Sequence, residues 1–236
     1  MLRLGVLPEG YISPKAERAV RDVLRKRAHL VRQHTANVLR VQNIMARNTG
    51  VRFSVKQIHE LTLEELERLL PEPDHVLAVT SSLAVWHGLG QQIKALEKLV
   101  PTRLQHTPAY AQLQTVDGSG TILAQTIGLE TGALGRFPTV GNSASYCRCV
   151  KSTKISNGKR KGQGHVKNGH PYLEWASLEA AQCAIRFNPT GQRFDQRKHA
   201  KSHLMVARKA VAHTRSRACY DIMRDLVPFD VHKACG

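Results

Sequence analysis

The sequence predicts a mainly α-helical protein, and three observations support that prediction. Residues 15–48 contain neither glycine nor proline, as expected for one long helix. Apolar residues elsewhere recur at intervals of three and four, which is the spacing of a helix face. No segment alternates convincingly between apolar and polar side chains, and none repeats, so no strands are expected.

The long helix is the first element. Pro14 lies near its start and Gly50 just beyond its end, as helix termini prefer. One narrow face is mostly apolar, while arginine and lysine fill the others. That face consists of Leu24, Ala28, Val31, Thr35, Val38, Gln42 and Met45. The pattern suits either one helix of a bundle or a coiled coil.

Residues 54–70 are expected to form one or two shorter helices. Thr62 and Glu65 have the spacing of a capping box, in which each side chain bonds the other residue's backbone N–H. The segment Pro-Glu-Pro-Asp at 71–74 predicts a break.

Residues 75–99 have helical spacing again, and Pro101 is expected to end this helix. Paired with the helix over 15–48, it would form an antiparallel helical hairpin.

Glycines become frequent in the segment YAQLQTVDGSGTILAQTIGLETGALGRF, which begins at Tyr110. It predicts a helix, a tight glycine turn and a second helix. In a helix-hairpin-helix module such a turn presents backbone N–H groups to a DNA phosphate, which makes Gly118 and Gly120 candidate nucleic-acid contacts. A plain turn between two packed helices explains the pattern equally well.

Two further helical segments follow at 171–188 and 200–226. Small residues crowd 176–184, which predicts a closely packed helix.

The charge of the chain points to a polyanionic partner. The net charge is +17 and the isoelectric point about 10.1. From Arg148 to Arg217 there are 16 Lys and Arg against 3 Asp and Glu, whereas residues 1–145 hold 17 against 12. The second half is therefore the expected nucleic-acid side. Only 5% of residues are aromatic, which argues against an extended stacking platform for single strands.

The five cysteines are an odd number and widely spread, so a disulfide framework is not expected. Cys147 and Cys149 with the 12 histidines allow a structural zinc site, but packed thiols fit the spacing better. Neither a signal peptide nor a membrane-spanning segment is apparent, so a cytoplasmic protein is expected.

Sequence signatures of common hydrolases, metalloproteases and nucleotide-binding loops are absent. The acidic segment at 60–70 is typical of the solvated face of a helix, and no acidic set predicts a metal site.

The basic segment STKISNGKRKGQGHVKNGHPYLEW begins at Ser152. Its glycines let a backbone approach a phosphate, and its cations can neutralise one. Those cations are Lys154, Lys159, Arg160, Lys161 and Lys167. A phosphate-binding loop is one interpretation. A serine nucleophile, Ser152 or Ser156, with His165 or His170 accepting its proton, is the other.

Four blocks in order resemble the transposases of the insertion sequence 110/116/902 group, which are described as bridge-RNA-guided recombinases. They are LRLGVLPEGYI with the basic helix after it, LQTVDGSGTILAQTIGLETGALGRF, NSASYCRCVKSTKISNGKRKGQGHVKNGHPYLEWASLEAA and ARKAVAHTRSRACYDIMRD. The similarity runs through nearly the whole chain. Each block alone is weakly specific, but the ordered set is specific.

The resemblance implies three parts: residues 1–12 as the end of an RNase-H-like domain, 13–106 as a coiled-coil-like helical segment, and 107–236 as the serine-containing transposase domain. It implies that Ser156, in the context Ser-Asn-Gly-Lys, is the nucleophile that forms a transient phosphoserine link to DNA. It also implies double-stranded DNA and a structured guide RNA as partners, a homo-oligomer, and a bacterial location on the nucleoid.

Two departures from the family separate this chain from its relatives. The acidic residues that bind magnesium in the family would precede the first block, so the resemblance implies a truncated chain without its own metal site and without activity on its own. The glycine turn also has Asp117 and Ser119 where the family has apolar residues or proline, and ETGAL replaces an acid-bearing segment.

Two other functions are compatible with the residues. A non-enzymatic helical DNA- or RNA-binding protein would use the same basic loop to grip phosphates. An interaction module would dimerise through residues 15–100.

Overall fold

The computed structural model describes residues 10–104, 108–150, 153–163 and 168–230. It confirms a mainly α-helical fold, and its described residues form ten α-helices, one short 3₁₀ helix and one two-stranded sheet. The helices are α1 (Lys15–Thr49), α2 (Val55–Glu60), α3 (Leu63–Leu69), α4 (Pro73–Leu104), α5 (Pro108–Leu113), α6 (Thr121–Thr131), α7 (Val140–Tyr146), α8 (Pro171–Phe187), α9 (Pro189–His199) and α10 (Leu204–Asp225). None of the helices in these ranges combines the length and apolar character needed to cross a membrane.

The chain divides into two compact units. One contains Met1–Arg21 and Arg103–Gly236, and the other contains Asp22–Thr102.

The unit Asp22–Thr102 is built on α1 and α4, which run antiparallel as predicted. Arg27 donates to Glu97 at 2.7 Å, and further along α1 the Nδ1 of His34 accepts from the indole N–H of Trp86 at 3.1 Å. Between the helices lies an apolar core. It consists of Val38, Val41, Met45, Ile58, Leu66, Leu70, Val79, Leu83 and Trp86.

Capping boxes begin both short helices of this unit. The predicted Thr62–Glu65 box is present at α3, and Ser54 with Gln57 forms a second one at α2. Each box satisfies backbone donors that the first helical turn leaves without partners. One apolar residue of each helix, Ile58 and Leu66, is then buried in the core.

The expected end of the fourth helix at Pro101 is wrong. Helix α4 begins at Pro73, where proline needs no helical N–H partner, and continues through Pro101 to Leu104. Proline in a helix removes one hydrogen bond and its ring crowds the carbonyl four residues earlier, yet the three residues after Pro101 remain helical.

The other unit is organised around α8 and α10. The alanines of α8 are fully buried, as the crowding of small residues at 176–184 predicted. Two apolar clusters cover this helix. One contains Leu113, Val116, Ala124, Ile127, Ala176, Cys219, Ile222 and Met223, and the other contains Cys147, Cys149, Leu173, Ala181, Val211 and Ala212.

Candidate nucleic-acid interface

The basic segment contains a β-hairpin, which contradicts the expectation of a chain without strands. Strand β1 (Thr153–Ser156) pairs antiparallel with β2 (Lys159–Gln163). Asn157 and Gly158 join them with φ of 52° and 71°, the left-handed backbone of a tight two-residue turn. An Asn-Gly pair is the strongest short-range hairpin signal in a sequence. Here it is followed by a hairpin although the flanking residues have weak strand propensity.

Ser156 is the last residue of β1 and lies directly opposite Lys159 in β2. Because opposed residues of an antiparallel pair point to the same face, the hydroxyl and the ammonium group share one side of the hairpin. The register shifts between Lys154 and Ile155, where Gly162 has a φ of 132°. An irregularity of this kind bends a strand and increases its twist.

The predicted cations of the hairpin face solvent where the structure describes them. Lys159, Arg160 and Lys161 are exposed, and so is Ser156. Lys154 pairs through its backbone with Gly162, and only its backbone is described. Lys167, Ser152 and His165 lie outside the described residues. The structure therefore places one candidate serine and four candidate cations on a single hairpin, and the three cations whose side chains are described are exposed.

The hairpin returns to the helical body through a fixed anchor. The backbone N–H of His170 donates to the carbonyl of Tyr146 at 2.7 Å, and Arg148 donates to the carbonyl of Gly169 at 3.1 Å. Gly169 has a φ of 102°, and a Cβ there would lie 2.6 Å from the Tyr146 carbonyl. Only glycine fits this close approach.

The imidazole of His170 is engaged with the body of the unit. Its Nε2 lies 3.3 Å from the Oε2 of Glu130, a carboxylate that is 1% exposed. Arg21 donates to the same oxygen at 2.8 Å and also to the hydroxyl of Ser13. A buried carboxylate needs such partners, because burial without them is costly. This cluster holds α6 and the first turns of α1 at the base of the hairpin.

The two glycines of the predicted phosphate-binding turn have different surroundings. Gly118 has a φ of 84°, and a Cβ there would lie 2.6 Å from the Cβ of Cys183 and 2.7 Å from the Ala180 carbonyl. It therefore permits close packing on α8. Gly120 is the N-cap of α6 and has open space around it. Of the two positions, Gly120 offers the freer approach to a phosphate.

Asp117 has a structural partner that the sequence did not suggest. Its carboxylate accepts a hydrogen bond from the side-chain amide of Asn188. The Oδ1 of Asn188 in turn accepts from the backbone N–H groups of Thr190 and Gly191 at the start of α9. The acid in the glycine turn thus fixes the junction between α8 and α9.

Helix α9 adds cations that the sequence reasoning missed, because no helix was predicted between 188 and 200. Its exposed face includes Arg193, Arg197 and Lys198. Asn188 before Pro189 is the signal that could have located it, since asparagine is a favoured N-cap and proline a favoured first helical residue.

The C-x-C pair is buried. Cys147 and Cys149 are 6% and 5% exposed, and burial raises the pKa of both thiols above the ordinary value of 9.0. Cys219 lies near them, and burial raises its pKa to about 12. These side chains are packed thiols. Among the described ranges, no three His, Cys, Asp or Glu side chains are grouped so that they could hold a metal ion.

Comparison with known proteins shows that part of this chain is similar to one protein family. A search of the curated proteins finds no match. Residues 110–196, which span the glycine turn, the serine hairpin, α8 and most of α9, match the family model described as the Transposase IS116/IS110/IS902 family.

Proposed function

We propose that this chain takes part in DNA transposition and that Ser156 is its nucleophile. The observation that carries the proposal is the display of Ser156 opposite Lys159 on an exposed basic hairpin, within a segment similar to a transposase family. Cations next to the hydroxyl would hold the phosphoryl oxygens and offset the charge that develops as the bond to phosphorus forms.

In each step of the proposed reaction, one phosphoester bond breaks and another forms. The Oγ of Ser156 bonds to the phosphorus, and the bond from phosphorus to one sugar oxygen breaks. The serine hydroxyl loses a proton and the sugar oxygen that leaves gains one. A sugar hydroxyl of another strand then attacks the phosphoserine and releases the serine. The described residues offer no carboxylate set for the magnesium that the family resemblance implies, so no step here is assigned to a metal.

Covalent capture tests this proposal. The full chain would be incubated, with and without magnesium, with labelled DNA from both flanks of its coding sequence, and the products separated under denaturing conditions. We expect a protein–DNA adduct that Ser156→Ala abolishes. Ser145→Ala, an exposed serine of the same unit, should leave it unchanged. An adduct that survives in Ser156→Ala but disappears in Ser152→Ala would assign the reaction to the other serine.

The second candidate function is nucleic-acid binding without catalysis. It is favoured by the hairpin itself, which groups Lys159, Arg160 and Lys161 in solvent beside the exposed Ser156. In that case Ser156→Ala would change nothing, but loss of the three cations would weaken binding.

Charge variants measure the contribution of the hairpin to binding. Lys159→Gln, Arg160→Gln and Lys161→Gln together should weaken binding to a DNA duplex and lower the slope of log K against log salt by up to about 2.7, since each released phosphate contact contributes about 0.9. The matched control removes the same charge from exposed positions of α1, with Arg32→Gln, Arg40→Gln and Arg47→Gln. Equal losses of DNA affinity in the two triple variants would contradict a specific role for the hairpin.

We also propose that the chain is a homo-oligomer, that residues 13–106 mediate assembly, and that residues 107–236 bind DNA with a structured guide RNA in a bacterial cytoplasm. A face of α4 supports the first part, because it is exposed and uncharged. It includes Leu77, Ala78, Ser81, Ala84, Val85 and Gly88. Small residues let two helices approach closely, so Ala84→Glu with Gly88→Glu should dissociate the oligomer in sedimentation experiments.

A further inference from the structure

Phe187 is unusually exposed for its type. At 74% it is the most exposed of the Phe, Tyr and Trp side chains in the described part of the chain. It lies within the segment Arg148–Arg217, where 16 Lys and Arg stand against 3 Asp and Glu. An aromatic ring in water among cations is a surface that suits a nucleobase and its phosphate.

The backbone of Phe187 lies at a corner between two closely packed helices. Helix α8 ends there because the backbone of Asn188 is extended, although its N–H still makes a last helical hydrogen bond to the Ala184 carbonyl at 2.9 Å. Gly191 of α9 packs so closely on α8 that a Cβ would lie 3.0 Å from the same carbonyl. A ring on a fixed backbone loses little freedom when it binds a partner, so more of the stacking energy becomes affinity.

Charged groups beside the ring favour an anionic strand. The guanidinium of Arg186 lies 5.2 Å from the ring centroid, and α9 continues with the exposed Arg193. The carboxylate of Asp117, which contacts the neighbouring Asn188, already accepts a hydrogen bond from that residue. Arginine next to an aromatic ring allows a stacked base and a neutralised phosphate at one place.

We propose that Phe187 stacks on one unpaired base of a DNA strand, with Arg186 contacting the adjoining phosphate. The proposal rests on the DNA binding proposed above, and it adds a contact to a base that neither the hairpin cations nor Ser156 supply. A single ring serves a single base, which agrees with an aromatic content of only 5%. Strand exchange exposes such a base wherever a duplex opens.

The flanking residues make a protein partner the weaker fit. Protein interfaces bury a contiguous apolar centre from which charged residues are depleted. Phe187 instead adjoins an exposed arginine on one side and the hydrogen-bonded Asn188 on the other. Its surroundings have the positive charge that is typical of a protein surface that binds nucleic acid.

Binding of the full chain to two labelled DNAs tests the stacking. One is a short, fully paired duplex, and the other is the same duplex with a bulge of unpaired nucleotides. Phe187→Ala should weaken binding to the bulged DNA by about 5- to 100-fold and to the paired duplex by less than about twofold, since stacking acts on unpaired bases. Phe187→Trp should retain the affinity. Met205→Ala, which removes another exposed apolar side chain from the same unit, should change neither.

Several results would overturn the proposal. Equal losses on both DNAs, or no loss on either, would remove the base-stacking role. So would a loss confined to a bulged RNA of the same sequence, or a change in oligomeric state caused by Phe187→Ala. Failure of the wild-type chain to bind either DNA would instead refute the proposed function itself. The hairpin triple variant, which should bind both DNAs more weakly, separates these two failures.

Discussion

At the scale of single residues, the two glycines of the turn before α6 separate packing from binding. Gly118 touches α8 and has a left-handed backbone, whereas Gly120 has open space and an extended one. The sequence placed both in one phosphate-binding turn, because spacing shows that a turn exists but not which neighbour each glycine meets.

Serine substitutions should distinguish these roles. Gly118→Ser should lower the free energy of unfolding by about 1–3 kcal/mol, because a Cβ overlaps Cys183 and the Ala180 carbonyl. Gly120→Ser should change it by less than about 0.5 kcal/mol, because serine is a favoured N-cap. Urea denaturation of both variants checks this. Similar losses at the two positions would contradict the packing seen at Gly118.

Arg215 gives a second prediction at this scale. It is 1% exposed, its guanidinium lies 4.6 Å from the ring centroid of Phe229, and none of its three side-chain nitrogens has a hydrogen-bond partner in the described part of the chain. A buried charge without a hydrogen-bonded partner is unfavourable. Arg215→Met should therefore raise the free energy of unfolding by about 1–4 kcal/mol. Lys209→Met, at a partly exposed site of the same helix, is the control. A fall in stability for Arg215→Met would mean that the guanidinium contributes more than its desolvation costs.

At the scale of elements, the sequence predicted helices well where apolar spacing was long and regular. Helices α1, α8 and α10 lie close to the predicted ranges, because each buries one apolar face. Helix α9 and the hairpin were missed for one shared reason. Both are short and polar, so turn and cap residues such as Asn157 and Asn188 determine them rather than a pattern of burial.

The pairing of α1 with α4 depends on pH through one hydrogen bond. His34 must be neutral for its Nδ1 to accept from Trp86, and burial, with a smaller effect from His87, lowers the pKa of His34 below 6.5. A lowered pKa stabilises the fold above pH 6.5, and this stability is lost as the pH falls through the folded value.

Trp86 fluorescence can follow that loss. In a Trp175→Phe background, Trp86 is the only tryptophan. We expect the midpoint of unfolding of the protein to decrease as the pH is lowered from 7.5 to 5. The decrease should be smaller in His34→Gln, since glutamine accepts the hydrogen bond without titrating. His75→Gln, a histidine of the same unit, provides the matched control. An unchanged pH dependence in His34→Gln would contradict this role for His34.

At the scale of the whole molecule, the buried thiols predict the response to alkali. Burial raises the pKa values of Cys147, Cys149 and Cys219, so the folded chain keeps them neutral where the unfolded chain ionises them. Their contribution to stability is complete below pH 9 and is lost as the pH rises toward the folded values.

Each thiol should reduce stability by up to about 1.4 kcal/mol per pH unit in that range. Cys219→Ala should therefore show a shallower decline than the wild type between pH 10 and pH 11, when the two unfolding curves are compared. Cys183→Ala, at a half-buried position, serves as the control. Parallel curves for Cys219→Ala and the wild type would contradict the protection of this thiol.

For the candidate site, as for the fold, the sequence predicted some features and missed others. Charge counting located the basic half and the cations of the hairpin, because solvated charges need no tertiary information. It could not reveal that Asp117 holds Asn188, or that Arg148 and Gly169 anchor the hairpin, because these contacts join residues 71 and 21 positions apart.

The exposed hairpin also has a consequence for evolution. Residues 155–162 are all solvent-exposed, so substitutions there cost the folded protein little except at Asn157, Gly158 and Gly162, whose backbone has positive φ. The alanines of α8 and the glycines packed around them have no such freedom, because a larger side chain would separate the helices. Mutation can therefore alter the charge and shape of the hairpin while the body is conserved by its packing. The surface that the hairpin presents can therefore change without a loss of foldability.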